Sequence, residues 1–132
     1  MNYNDIYNGV VESIAKVMNR EAGSIHKDSK IVEDLGADSL DLLDLTFHLQ
    51  QKFKITISPR DLERRTQKKL GDKPMEIDGV YSREAIAEFR KAMPEIPIAE
   101  LNDGLTVTEL QRKLRVATMV NLVKALLEEK DA

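Results

Sequence analysis

Apolar residues recur at intervals of three and four along most of this chain, and that period predicts helices. Ile6, Val10, Val11, Ile14, Val17 and Met18 predict a first helix over residues 4–20, with Asn4 or Asp5 as cap and Gly23 just past its end. A loop over 22–37 follows, in which Ile25, Ile31, Val32 and Leu35 are spaced as anchors to a core. The second helix is predicted over 39–52, with Leu42, Leu45, Leu49 and Phe53 on one face. Leu40, Leu43 and Phe47 make a second apolar line on the same helix, flanked by Asp41 and Asp44. A helix that is apolar on two faces is deeply buried or meets a partner, and the pattern alone leaves both open.

Pro59, after Ser58 as cap, predicts the opening of a third helix that runs on from Asp61 to Leu70. Its apolar points are sparse, Leu62 and Leu70, and Gly71 and Pro74 end it. Residues 72–79 read as a loop. Ser82 caps a further helix to about Met93, with Ala85, Ile86, Phe89 and Met93 on one face and Pro94 and Pro97 as its stop. Thr106 and Glu109 have the spacing of a capping box before Leu110 and Leu114. Val116, Met119, Val120, Val123 and Leu127 predict a last helix over 116–129. The reading is all-α.

Composition narrows the picture. A chain of 132 residues can bury one sizeable core, and one domain over 1–132 is expected. There is no cysteine, so neither a disulfide framework nor a thiolate nucleophile is available, and a reducing, cytoplasmic setting is expected. No apolar run is long enough to span a bilayer, so no membrane insertion is expected. The net charge of −3 argues against nucleic acid. That charge is concentrated: residues 28–44 hold six acids against the single base Lys30, whereas 66–114 is nearly neutral, with eight bases and nine acids. An acidic field of this kind steers basic protein surfaces.

The acidic stretch contains the most informative segment, Asp34-Leu35-Gly36-Ala37-Asp38-Ser39-Leu40-Asp41. Gly36 suits a tight turn because it can take backbone angles closed to other residues. Asp38 is a good N-cap, with Asp41 three positions on. Ser39 then falls in the first helical turn, hydroxyl outward, where free N–H groups and the helix dipole favour a phosphate. Catalytic readings fail on spacing. A nucleophile elbow needs Gly-x-Ser-x-Gly, and here Asp38 lies two after Gly36 with no second glycine. His26 and His48, the only histidines, have no metal-pair spacing, and no metal is expected. Arg64, Arg65, Lys68 and Lys69 lack the interleaved aromatics of a nucleic-acid patch.

Gly36-Ala37-Asp38-Ser39-Leu40-Asp41 resembles the attachment motif of acyl carrier proteins. The similarity extends upstream through Asp28-Ser29-Lys30-Ile31-Val32-Glu33-Asp34-Leu35 and downstream through Phe53-Lys54-Ile55-Thr56-Ile57. It implies a four-helix bundle with its core at about 1–65 and 115–130, enlarged by one or two helices from an insertion over about 66–114. It implies a covalent 4′-phosphopantetheine on Ser39, with Gly36 and Asp38 shaping the attachment site and coenzyme A as source. The arm would carry acyl groups as thioesters for a fatty-acid, polyketide or lipid-modifying pathway, without catalysis by the chain itself. The implied partners are a phosphopantetheinyl transferase and enzymes that load and transfer acyl groups, met through Asp38, Leu40, Asp41, Leu43, Asp44 and Phe47. Leu49 and Ile57 are the implied acyl-pocket residues, and a monomer is expected. Two alternatives stand: an aminoacyl or peptidyl carrier, in which a second glycine is more usual where this chain has Ala37, and an unmodified helical adaptor.

Two features depart from the family pattern. The acids of the second helix stop at Asp44, and Gln50, Gln51, Lys52, Lys54 and Arg60 follow. This points to dedicated partner enzymes. The insertion carries its own apolar stripe, which must bury against something. It is expected to pack on the carrier bundle, beside the third and last helices. Arg115 stands where a threonine cap is usual before the last helix, so that junction is expected to be built differently.

Overall fold

The computed structural model describes residues 1–58 and 60–131. Its helices, in chain order, are α1 (Tyr3–Met18), α2 (Ser39–Phe53), α3 (Asp61–Leu70), α4 (Arg83–Ala92), α5 (Val107–Lys113) and α6 (Val116–Asp131). A minimal antiparallel hairpin, β1 (Glu76–Ile77) and β2 (Val80–Tyr81), precedes α4. Among the described residues the fold is therefore all-α apart from four strand residues, with α4 and α5 as the added helices. The hairpin replaces part of the loop expected over 72–79. Its turn residues Asp78 (φ 53°) and Gly79 (φ 81°) both lie in the left-handed region, which matches the right-handed twist of a tight hairpin.

The chain divides into two compact units. Unit one is Met1–Ile57 with Arg115–Ala132, and unit two is Ser58–Leu114. By its contacts α3 groups with unit two. In unit one, α1 packs on both α2 and α6. Ile6, Val10 and Ile14 of α1, Leu45, Leu49 and Phe53 of α2, and Val116, Val120 and Val123 of α6 are buried, with Ile25, Ile31 and Leu35 of the intervening loop. Asn2 caps α1 by accepting from the Asp5 N–H, two residues before the first expected cap, and Asn19 closes the helix in the left-handed conformation (φ 53°). The N-terminus of α6 is built as the departure at Arg115 foretold. The Val116 and Ala117 N–H groups donate to the carbonyls of Ser29 and Lys27, and the Arg115 N–H donates to Thr118 Oγ1 (3.1 Å).

Gly9 sets how closely α1 approaches α2. A Cβ placed there would lie 2.5 Å from the Phe53 ring, itself buried. Gly9→Ala is thus expected to destabilise unit one by about 1–2 kcal/mol, the overpacking outweighing a helix-propensity gain of about 1 kcal/mol. Urea or thermal denaturation reads this directly; a variant at least as stable as the parent would show that the Phe53 ring gives way freely.

Unit two has its own core of Tyr81, Ala85, Ile86, Phe89, Met93, Ile96, Leu101, Leu105 and Leu110, with Leu62 and Leu70 of α3 packed against it. The apolar stripe of α4 is thus covered inside unit two. The third helix does lie beside it, through Leu62 and Leu70. The Tyr81 ring meets Phe89 edge to face, centroids 4.8 Å apart. Burial, reinforced by the Glu63 carboxylate, pushes the Tyr81 phenol well above its usual range. Glu63 is itself buried and held by Arg60, whose guanidinium also reaches Glu76 Oε1 (3.3 Å). Arg60, in the left-handed conformation (φ 60°), is the N-cap residue of α3. Ser58 does not cap α3 as expected; its N–H donates to Asp61 Oδ2 (2.6 Å), and the expected role of Pro59 lies outside the described residues. Ser82 caps α4, and Thr106 with Glu109 forms the capping box of α5, both as predicted.

Candidate functional site

The segment that enters α2 is built by local hydrogen bonds. Asp34 Oδ2 accepts from the Lys30 N–H (2.8 Å), and the N–H groups of Asp34 and Leu35 return to the Lys30 carbonyl. The Gly36 and Ala37 N–H groups donate to the carbonyls of Val32 and Ile31. Ile31, Leu35 and Ala37 are buried, so the turn is pinned from below. Gly36 has φ 78°, and nothing lies within 4 Å of where its Cβ would stand, so backbone angle rather than space requires glycine at this turn.

Asp38 then caps α2 from an extended conformation. The Asp41 N–H donates to Asp38 Oδ1 (2.9 Å) and the Asp38 N–H to Asp41 Oδ2 (3.0 Å), a complete capping box. Ser39 is the first residue of the helix and is exposed. Its own N–H and that of Leu40 belong to the first turn, where no intrahelical acceptor exists. The capping box takes up the Asp41 donor and leaves those two for another acceptor beside the serine hydroxyl. This is a hydroxyl on a fixed helix start, with backbone donors and the positive end of a helix dipole next to it.

The surface around Ser39 answers the question of the two apolar lines. Leu45, Leu49 and Phe53 are buried and Leu42 half-buried, whereas Leu40, Leu43 and Phe47 are 70%, 51% and 53% exposed. The second line therefore faces outward, between Asp41, half-buried, and the exposed Asp44. At the far end of α2 the bases are partly occupied. Lys52 pairs with Glu12 of α1 (2.8 Å), which holds the Glu12 carboxyl below the usual carboxylate range. Arg60 is engaged by Glu63 and Glu76 in unit two. Lys54 stays exposed at the α2 C-terminus, while its carbonyl accepts from Lys130 Nζ (2.6 Å).

Beside the site a shallow groove, too narrow to admit a water molecule, is lined by Ile14, Val17 and Met18 of α1, Ile31 and Ala37 of the loop, and Asp41, Leu42 and Leu45 of α2. Pattern reading missed this groove. Its lining alternates between the loop and two helices, and only their packing brings those residues together. Leu49 and Ile57, the expected pocket residues, do not line it: Leu49 is fully buried and Ile57 is half-buried, its N–H donating to Gln50 Oε1 (2.9 Å). Among the described residues no cluster of histidine, aspartate and glutamate could hold a metal ion, and no helix is long and apolar enough to cross a membrane.

Comparison with known proteins agrees with this geometry. A phosphopantetheine attachment site model matches residues 8–72, from the first turns of α1 to just past α3. The chain is 38% identical over 58 residues to the acyl carrier protein of Campylobacter jejuni subsp. doylei, covering 75% of that protein and 44% of this chain. It is 37% identical over 59 residues to the acyl carrier protein of Wolinella succinogenes (78% of that protein, 45% of this chain). To that of Sulfurovum sp. it is 42% identical over 52 residues, 69% of that protein and 39% of this chain. No solved structure matches the chain. Site and match together define a carrier built around a phosphopantetheine attachment site. The chain belongs to the acyl carrier protein family. Its prosthetic group is 4′-phosphopantetheine, held covalently, and the free N–H groups at the start of α2 suit the phosphate of that group.

Proposed function

We propose that Ser39 is the attachment point and that the chain works as an acyl carrier, without catalytic chemistry of its own. The observation that carries this reading is the exposed serine at the first position of α2, behind a closed capping box that leaves its neighbouring N–H groups free. Gly36 and Asp38 set the turn and cap that hold the hydroxyl outward. When bound, the prosthetic group supplies a terminal thiol on which acyl groups are held as thioesters.

The protein's own residues then have two tasks. Asp38, Asp41 and Asp44 draw basic partner surfaces toward α2, and Leu40, Leu43 and Phe47 supply the apolar centre of a weak, rapidly exchanging contact. These partners are a phosphopantetheinyl transferase and enzymes that load or remove acyl groups. Shelter for the cargo starts at the groove between Ile14, Val17 and Leu42 and extends toward Leu49 and Ile57 as core side chains part. Residues 1–132 act together as one monomeric carrier, with unit two as an accessory to unit one. The interrupted acidity of α2 after Asp44 favours service to dedicated enzymes of a fatty-acid, polyketide or lipid-modifying route.

The test is direct. Incubation with a phosphopantetheinyl transferase and coenzyme A is expected to add one phosphopantetheine mass to the intact protein, and fragmentation to locate it on Ser39. No mass gain would leave an unmodified adaptor as the better reading.

A further inference from the structure

The outer face of α3 carries Arg64, Arg65, Lys68 and Lys69, and Lys73 follows just beyond the helix. Arg64, Lys68, Lys69 and Lys73 are exposed, while Glu63 and Thr66 on the opposite face are buried. The two acids of α3 are used elsewhere: Glu63 pairs with Arg60, and Asp61 accepts the Ser58 N–H. Arg64, Lys68 and Lys69 make no ion pair among the described residues.

Helix stability does not call for this face. Cations in the last turn favour the dipole, which accounts for Lys68 and Lys69. It does not account for Arg64, which stands four residues before Lys68. Like charges at that spacing repel each other. A helix that keeps an unfavourable row of cations in the open is suited to an anionic surface. The chemistry of the row selects among such surfaces. No apolar or aromatic side chain interrupts it, so it lacks the inserting residues of a membrane-surface helix and the stacking platforms of a nucleic-acid binder. What remains is a protein surface rich in aspartate and glutamate.

We infer that the basic face of α3 docks an acidic patch on an enzyme that loads or unloads the acyl group. This rests on the acyl-carrier reading of Ser39 and deepens it. The basic α3 face is opposite in sign to the acids of α2, so the two faces select different partner surfaces.

Zero-length carbodiimide crosslinking tests the contact, because it joins lysine amines to carboxylates that touch them. Applied to the holo protein in cell extract, it is expected to tie Lys68, Lys69 or Lys73 to aspartate or glutamate side chains of an acyl-handling enzyme. With that enzyme purified, Lys68→Glu combined with Lys69→Glu is expected to raise its KM for the carrier about tenfold at low salt, with kcat unchanged. The difference should shrink toward unity at about 0.5 M salt. Circular dichroism confirms that the double variant is folded. Conversion to the holo form at Ser39 is measured alongside by intact mass. A chain that never gains the arm defeats the carrier reading, whereas a chain that gains it but shows no crosslinks at these lysines, or an unchanged KM, overturns the docking face. Cosedimentation with phosphatidylglycerol vesicles, abolished by the same double substitution, would likewise overturn it in favour of a lipid surface.

Discussion

Ser39→Ala is expected to abolish gain of the phosphopantetheine arm while leaving the fold of unit one in place. The substitution removes one oxygen from an exposed side chain that makes no hydrogen bond among the described residues, so its cost in stability should stay within about 0.5 kcal/mol. The Asp38–Asp41 capping box that starts α2 does not involve the serine hydroxyl and survives. The effect on modification is instead all or none, because the oxygen lost is the atom that forms the new phosphodiester. Intact mass after incubation with transferase and coenzyme A, beside a denaturation curve, separates the two quantities. A variant that still gains the mass would place the attachment at another hydroxyl and strip the start of α2 of its role.

Phe89→Ala carries the largest expected effect on stability. Phe89 is fully buried at the centre of unit two and stacks edge to face on Tyr81. Its truncation removes a large apolar side chain and leaves a cavity, at a cost of about 3–5 kcal/mol. A core as small as that of unit two has little more than this in reserve. The amide spectrum of Ser58–Leu114 is expected to collapse into the narrow range of unfolded chain. Unit one has a separate core of α1, α2 and α6, so its resonances should persist and Ser39 should still be modified. Simultaneous loss of all resonances would mean that the two cores fold as one.

Local chemistry made much of this architecture readable. Ser82, and Thr106 with Glu109, announce their helices because capping bonds span only three residues. Asp38 and Asp41 do the same for α2, which is why the helix start that carries Ser39 was legible. Three things were not. The hairpin at Asp78-Gly79 has strands of two residues, too short to show alternation, although the Asp-Gly pair is itself a turn signal. The end of α2 at Lys54 uses a left-handed residue that is neither glycine nor asparagine, so nothing in composition marks it. The membership of α3 depends on where Leu62 and Leu70 find cover, a contact with residues tens of positions away that no local period reveals. The periodicity of α2 has the same limit. Spacing showed two apolar lines and left their roles open; the family resemblance implied that Leu40, Leu43 and Phe47 face outward, and these three are the exposed line.

The carbonyls of Lys27 and Ser29 receive the first N–H groups of α6, although the whole of unit two lies between them in the chain. During synthesis, α1 and α2 therefore leave the ribosome lacking the helix that completes their core. Elongation through Ser58–Leu114 takes roughly several seconds at ordinary rates. Over that interval α1 and α2 lack the helix they both pack on, and the intervening unit can finish folding ahead of the one that brackets it. On the proposed role of Ser39, a modifying enzyme that recognises the folded unit meets its substrate only once α6 has cleared the exit tunnel.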